Sequence, residues 1–189
     1  PGYTYGLSAK RCRTGAKLVK ISGSTCSGCY ALKGSYLYPS VKLGHGRRLQ
    51  SINNRTWTAA MITLINHYEK KYFRWHDSGD IQSMQHLEKI CAVAEGTPSI
   101  QHWMPTREAR ILDQYKKAGG VIPSNLVIRL SATMINGAPG KSHEHSSTVH
   151  TPGVAPIGEA CNASKQGGQC LECRACWNSN IQNISYEKH

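Results

Sequence analysis

No aspartate or glutamate occurs before Glu69. The same stretch holds ten basic residues: Lys10, Arg11, Arg13, Lys17, Lys20, Lys33, Lys42, Arg47, Arg48 and Arg55. Most of the formal net charge of +12 over 189 residues therefore sits in the first third, and the remainder is nearly balanced. That asymmetry points to an anionic partner, nucleic acid or a phosphate-bearing small molecule, or to a solvated basic face. Long apolar runs are missing as well. None approaches the roughly 18 residues that a membrane span needs, so no membrane partner is expected. No charged-then-apolar leader follows Pro1, and a cytoplasmic protein is expected. With 39% apolar and 18% charged residues, the chain can fill one modest core and is neither a disordered tail nor a fibrous repeat.

What stands out instead is cysteine, eight in all. Cys91 falls on the apolar stripe Leu87, Ile90, Cys91, Ala94 and reads as a small core residue. The other seven form two groups. Cys170, Cys173 and Cys176 are spaced C-x2-C-x2-C, with Cys161 upstream as a fourth thiolate. A single zinc ion favours Cys-x2-Cys pairs separated by a longer loop, because four ligands must surround one small ion. A cubane cluster offers separate irons, each wanting one thiolate, and the bacterial ferredoxin run begins with this same spacing. The tail therefore reads as an iron–sulfur site, with zinc and disulfides as alternatives. In the other group, Cys26 and Cys29 form a Cys-x2-Cys and Cys12 is the nearby third candidate. Three thiolates on a cubane leave one iron open; alternatively, Cys26 and Cys29 share one site with the tail cysteines.

Apolar spacing orders the elements. Asn53 and Asn54 can cap a helix with Trp57, Met61, Leu64, Ile65 and Tyr68 on one face. A strand at Tyr72–His76 leads to a helix capped by Ser83 and stopped at Gly96. A strand at Ile100–Met104 leads to a helix that Thr106 can cap and Gly119-Gly120 stop. A third strand, Leu126–Leu130, ends in Ser131-Ala132-Thr133, and an earlier one is placed at Leu18–Ile21. Alternating strands and helices predict an α/β fold, a partial (β/α) barrel-like parallel sheet with sites at its carboxyl edge. Residues 136–158, with His143, His145 and His150, read as a long loop or lid. The expected division is 1–135, an α/β core with an N-terminal Cys-containing loop, and 136–189, a loop plus Cys-rich metal-binding extension.

A Cys-bearing loop after a strand, followed by strand–helix units, resembles the partial barrel of radical S-adenosylmethionine (SAM) enzymes. Cys26-x2-Cys29 matches the last pair of that family's three-cysteine motif, whereas Cys12 lies further upstream than its standard spacing. Ser78-Gly79-Asp80 stands where the family carries a Gly-Gly-Glu-like motif touching the SAM amino group. A closer resemblance is to the bacteriophage family of gene-product-eighty-eight-like proteins. It is carried by Cys29-Tyr30-Ala31-Leu32-Lys33-Gly34, Phe73 to Asp80, Pro105-Thr106-Arg107-Glu108 and Cys170 to Trp177. It implies a viral, cytoplasmic metal protein in an infected bacterial host and specifies no reaction.

These resemblances give the leading expectation, a radical-SAM-like protein with one or two [4Fe-4S] clusters. Cys12, Cys26 and Cys29 would hold the reactive cluster, and Cys161, Cys170, Cys173 and Cys176 an auxiliary one. Ser78, Gly79 and Asp80 would bind SAM, and His76, Asp77, Arg107 and Glu108 would face substrate. Arg107 suits a carboxylate or phosphate because its planar fork can engage two oxygens. Asp77, Asp80, Arg107 and Glu108 could equally serve helix capping and ion pairing at the sheet edge. The alternatives are a non-enzymatic redox protein served by an electron donor, and a zinc-stabilised nucleic-acid-binding module with Tyr3, Tyr5, Tyr30, Tyr36 and Tyr38 available to stack on bases.

Overall fold

The computed structural model describes residues 2–68 and 71–188; Pro1, Glu69, Lys70 and His189 lie outside the described residues. Seven strands form one all-parallel sheet: β1 (Thr4–Tyr5), β2 (Tyr72–Trp75), β3 (Gln101–Thr106), β4 (Leu126–Ile135), β5 (Ser146–His150), β6 (Glu159–Cys161) and β7 (Asn183–Glu187). Their order is β1-β2-β3-β4-β5-β7-β6, sequential until the last pair, and β1 and β6 are the free edges. Five helices accompany it: α1 (Arg13–Leu18), α2 (Pro39–Ser51), α3 (Trp57–Tyr68), α4 (Met84–Glu95) and α5 (Ala109–Lys117). No helix among the described residues is long and apolar enough to cross a membrane.

The apolar stripes explain the packing. Trp57, Met61 and Ile65 of α3, Leu87, Ile90 and Cys91 of α4, and Ile111, Leu112 and Tyr115 of α5 meet Phe73, Trp75, Met104, Leu126, Ile128 and Leu130 in one core. Each large side chain so buried contributes about 1.5–3 kcal/mol. Cys91 is part of this core, as its place in the stripe predicts. Ser83 caps α4 by accepting the His86 amide at 3.1 Å. Leu64 and Tyr68 depart from the predicted α3 stripe: half of Leu64 and more of Tyr68 remain exposed.

Several local expectations change. Leu18–Ile21 is not a strand; Leu18 ends α1 and the Ile21 amide turns back onto its carbonyl at 2.9 Å. Thr106 does not cap α5 with its side chain. Its hydroxyl accepts the Glu108 amide and donates to Asp80, and Glu108 takes the N-cap position. β4 runs on through Ser131-Ala132-Thr133 to Ile135. The stretch read as a loop from residue 136 contains β5, held between β4 and β7. Apolar pattern did not reveal β5 because its contacts are polar. Thr148 donates to Ser185 Oγ and accepts from Asn183 Nδ2, Ser146 donates to Asn183 Oδ1, and Ser147 donates to Ser131 Oγ.

On the face of the sheet away from the helices, the Arg74 guanidinium lies 4.7 Å over the Trp103 ring. Trp177 packs against Trp103 and Tyr72, with centroids 5.1 and 5.5 Å away, and its indole N–H donates to the Phe73 carbonyl at 2.9 Å. The C-terminal segment therefore lies across the sheet, and its strands β6 and β7 belong to that sheet.

Candidate metal centres

The first cysteine group is assembled at the carboxyl edge of the strands. Cys12 immediately precedes α1, whose first amides need acceptors. Glu108, just after β3, supplies them: its carboxylate accepts from the Arg13 and Thr14 amides at 3.1 and 2.8 Å and from the Thr14 hydroxyl at 2.9 Å. A carboxylate there also matches the positive end of a helix. The cap thus comes from 94 residues away and leaves the Cys12 sulfur uninvolved in capping.

The loop bearing Cys26 is stitched to the end of β4. The Thr25 amide donates to Thr133 O and the Ile135 amide to Gly23 O, both at 2.9 Å, beside a Ser24–Met134 bridge. Thr25 Oγ1 donates to Ala132 O and accepts Arg107 Nε and Nη2 at 3.1 and 2.9 Å. Gly15 faces the gap between two of the thiols. A Cβ there would lie 3.0 Å from Cys12 Cβ, 3.6 Å from Cys26 Sγ and 3.7 Å from Cys12 Sγ. Burial pushes the Cys12 thiol up to about 12, and Asp80, Cys29 and Cys26 add to the rise against the opposing pull of Arg107. Burial raises Cys26 too, again opposed by Arg107. Cys12, Cys26 and Cys29 thus share one electrostatic neighbourhood with Asp80 and Arg107.

The second group gathers across β6, β7 and the turn that ends at Trp177. Cys161 is in register with Tyr186, and Cys176 Sγ lies 3.3 Å from Tyr186 Oη. The Cys173 amide closes a turn on Cys170 O at 2.8 Å, with Leu171 between them in the left-handed region at φ 43°. Burial pushes Cys176 up to about 11; Tyr186 opposes this by hydrogen bonding, while Cys161 and Cys170 add to it. Cys161 is raised by burial, and by Cys170 and Cys173. The cysteines that act on each thiol belong to its own group.

All eight cysteines are free thiols. Among the described residues, no group of three or more His, Cys, Asp or Glu closes on the position of a single metal ion. The donors in both groups are soft thiols, the type that selects zinc or iron–sulfur clusters. The gap at Gly15, bordered by two sulfurs, is an opening that any Cβ would narrow. These features fit a thiolate-bound group.

The other candidate residues divide by what already engages them. Asp80 is fully buried: Oδ1 accepts from the Ile81 amide and the Thr106 hydroxyl, and Oδ2 from the Arg107 amide. Burial raises its carboxyl to about 6, against the opposing effect of these bonds. Ser78 donates to Leu7 O at 2.8 Å, and Gly79, at φ +75°, has Leu7 O 2.7 Å from where a Cβ would stand. Asp77 accepts from the Tyr36 hydroxyl through Oδ2 at 3.0 Å and from the Tyr30 hydroxyl through its backbone carbonyl. His76 turns into the core beside Tyr5 and His86, at φ 53°, with neither ring nitrogen hydrogen-bonded. His143, His145 and His150 engage separate partners: His143 is 3.4 Å from Asp113, His145 contacts Ser179 O, and His150 contacts Ser185. An apolar groove of about 460 Å³ along β1, α2 and α3 has no cysteine in its lining.

Sequence reasoning did not single out Arg74, Arg129, Gly15 or Tyr186. For Arg129 a signal existed, a lone charge inside the apolar run Leu126-Val127-Ile128-Arg129-Leu130.

One seven-stranded parallel sheet with its accompanying helices, carrying two groups of free thiols, defines an α/β protein. The chain belongs to the Gene product 88 family, whose model matches residues 1–179, and this places it among phage proteins. No curated protein and no solved structure matches it.

Proposed function

We propose that this chain is a bacteriophage iron–sulfur protein of radical-SAM-like type, with a three-thiolate [4Fe-4S] site at Cys12, Cys26 and Cys29. A second, four-thiolate cluster is assigned to Cys161, Cys170, Cys173 and Cys176. The observation that carries the reading is the segregation of seven thiols into groups of three and four on one parallel sheet. A cluster held by three thiolates supplies an iron open to an exogenous ligand, for which SAM is the candidate.

The chain's own residues would do the following. Glu108 holds the start of α1, and with it Cys12, against the end of β3. Arg107 commits Nε and Nη2 to Thr25 and makes no hydrogen bond through Nη1 among the described residues, leaving an edge for a carboxylate or phosphate. Asp77, half-buried and steadied by Tyr36, borders the same strand ends as the candidate substrate-facing acid. The host cytoplasm is the proposed compartment, with a host electron donor as partner.

A second reading, a non-enzymatic electron carrier, draws support from Asp80. Both of its oxygens are occupied inside the protein, which leaves it poorly placed to receive an amino group. Anaerobic purification followed by iron and acid-labile sulfide analysis tests both readings; colourless protein containing only zinc overturns them. Reductive cleavage of SAM by the reduced protein selects the enzyme. An intact cluster without cleavage selects the carrier.

A further inference from the structure

Arg129 sits in the middle of β4 and its side chain has no exposure to solvent. Its five N–H groups are all spent on backbone carbonyls of the C-terminal segment. Nε donates to Cys176 O at 3.0 Å, Nη1 to Ile181 O at 2.8 Å and Gln182 O at 3.4 Å, and Nη2 to Ala175 O at 3.1 Å and Asn178 O at 2.9 Å. Carbonyl dipoles satisfy its hydrogen bonding but leave its charge uncancelled. Among the described residues no carboxylate forms an ion pair with it. A buried guanidinium without a counter-charge is costly, because its charge has left water with nothing to offset it. The acidic groups that bear on it are Cys176 and Tyr186, themselves 3.3 Å apart.

We propose that Arg129 is the positioning residue and counter-charge of an anionic thiolate–metal site at Cys161, Cys170, Cys173 and Cys176. Loading that site and seating residues 175–182 on the sheet are then a single event. Thiolates supply the missing negative charge, whereas disulfides would leave Arg129 uncompensated. Trp177, packed on Trp103 and Tyr72 within the same clamped segment, is seated along with it. The metal's presence rests on the function proposed above; the pairing of charge with seating is additional to it.

The test uses the full chain carrying Cys26→Ser and Cys29→Ser, so that only the tail site is counted. Arg129 is kept, or changed to Lys or Gln, and each protein is reconstituted anaerobically with iron and sulfide. Metal affinity, midpoint potential and proteolysis within residues 175–182 are read with and without chelator. With Arg129 present, chelation is expected to speed cleavage at least tenfold. Arg129→Gln is expected to weaken metal binding by about 10–100-fold, the usual cost of losing an outer partner of a metal site. Its potential should fall, because the reduced cluster loses a neighbouring positive charge. Arg129→Lys should keep the potential while losing part of the affinity, and so separates charge from folding if the Gln variant is poorly folded. Equal affinity and potential in all three proteins overturns the Arg129 proposal and leaves the cluster reading intact. Failure of the Arg129 protein to take any metal overturns the cluster reading of the tail, and this inference with it. Zinc uptake without sulfide, still weakened by Arg129→Gln, overturns the iron–sulfur assignment and upholds the role of Arg129.

Discussion

Glu108 and Thr14 are joined by two hydrogen bonds, one to the amide at 2.8 Å and one to the hydroxyl at 2.9 Å, across 94 residues of sequence. The pair ties the helix after Cys12 to the strand end that carries Arg107. A residue with the charge and placement of a catalytic acid is thus the cap of a short helix beside a candidate metal ligand. Glu108→Ala is expected to lower stability by about 1–2 kcal/mol, the range for loss of a helix cap. It should also reduce metal at the first site. Urea unfolding and iron analysis check both, and unchanged metal in a destabilised protein would confine Glu108 to the fold.

Gly15 lies within α1, where alanine normally gains up to about 1 kcal/mol over glycine. Here the added methyl would lie 3.6 and 3.7 Å from two sulfurs and 3.0 Å from Cys12 Cβ. Gly15→Ala is expected to cut metal loading at the first site tenfold or more while the metal-free protein still folds. Full loading of the variant would remove Cys12 and Cys26 from a common site.

Cys173 is exposed and Cys91 buried. Cys173→Ala should abolish metal at the tail site at little cost to the metal-free protein. Cys91→Ala should leave metal content unchanged and cost about 1 kcal/mol of packing. Metal analysis and thermal melts of the two variants separate the roles, and equal metal loss in both would break the grouping.

His102 is fixed as a neutral imidazole. Trp75 donates to Nδ1 at 3.2 Å, so Nε2 carries the hydrogen toward Thr97 Oγ1 at 2.8 Å, and Thr97 passes its own to Val93 O. Burial lowers His102 and His86 from 6.5 to about 4. The unfolded chain binds these protons first, so stability is full above about pH 6.5 and drains as pH falls toward 4. Asp80, raised by burial to about 6, acts in the opposite sense over part of that range. Two imidazoles outweigh one carboxyl, and the metal-free protein should lose stability between pH 7 and pH 5 in urea titrations. A flat profile would mean that the histidines take up protons without unfolding.

The α/β class and the run from α3 to β4 were legible because burial there follows apolar periodicity, with Ser83 marking a helix start. The polar strands were not. Ser146, Ser147, Thr148 and Ser185 are buried through hydrogen bonds to one another and to their neighbours, which no hydropathy pattern records. Spacing separates Cys12, Cys26 and Cys29 from Cys161, Cys170, Cys173 and Cys176, and the thiols influence one another along the same division. Helix capping at the sheet edge was one of the two duties open to Glu108, and it is the one found. Its partner Thr14, and Asp80's partner Thr106, were not legible because they lie more than 20 residues away and only the folded sheet supplies them.

The sheet's two free edges are its shortest strands, Thr4–Tyr5 and Glu159–Cys161. An exposed strand edge is a template on which another chain can add, and brevity is one of the ways natural sheets blunt it. At the β6 edge the last residue is Cys161, so a metal held there would occupy the rim where an added strand would pair. If the tail cluster proposed above is present, its removal is expected to promote self-association along this rim, which light scattering with and without chelator would register.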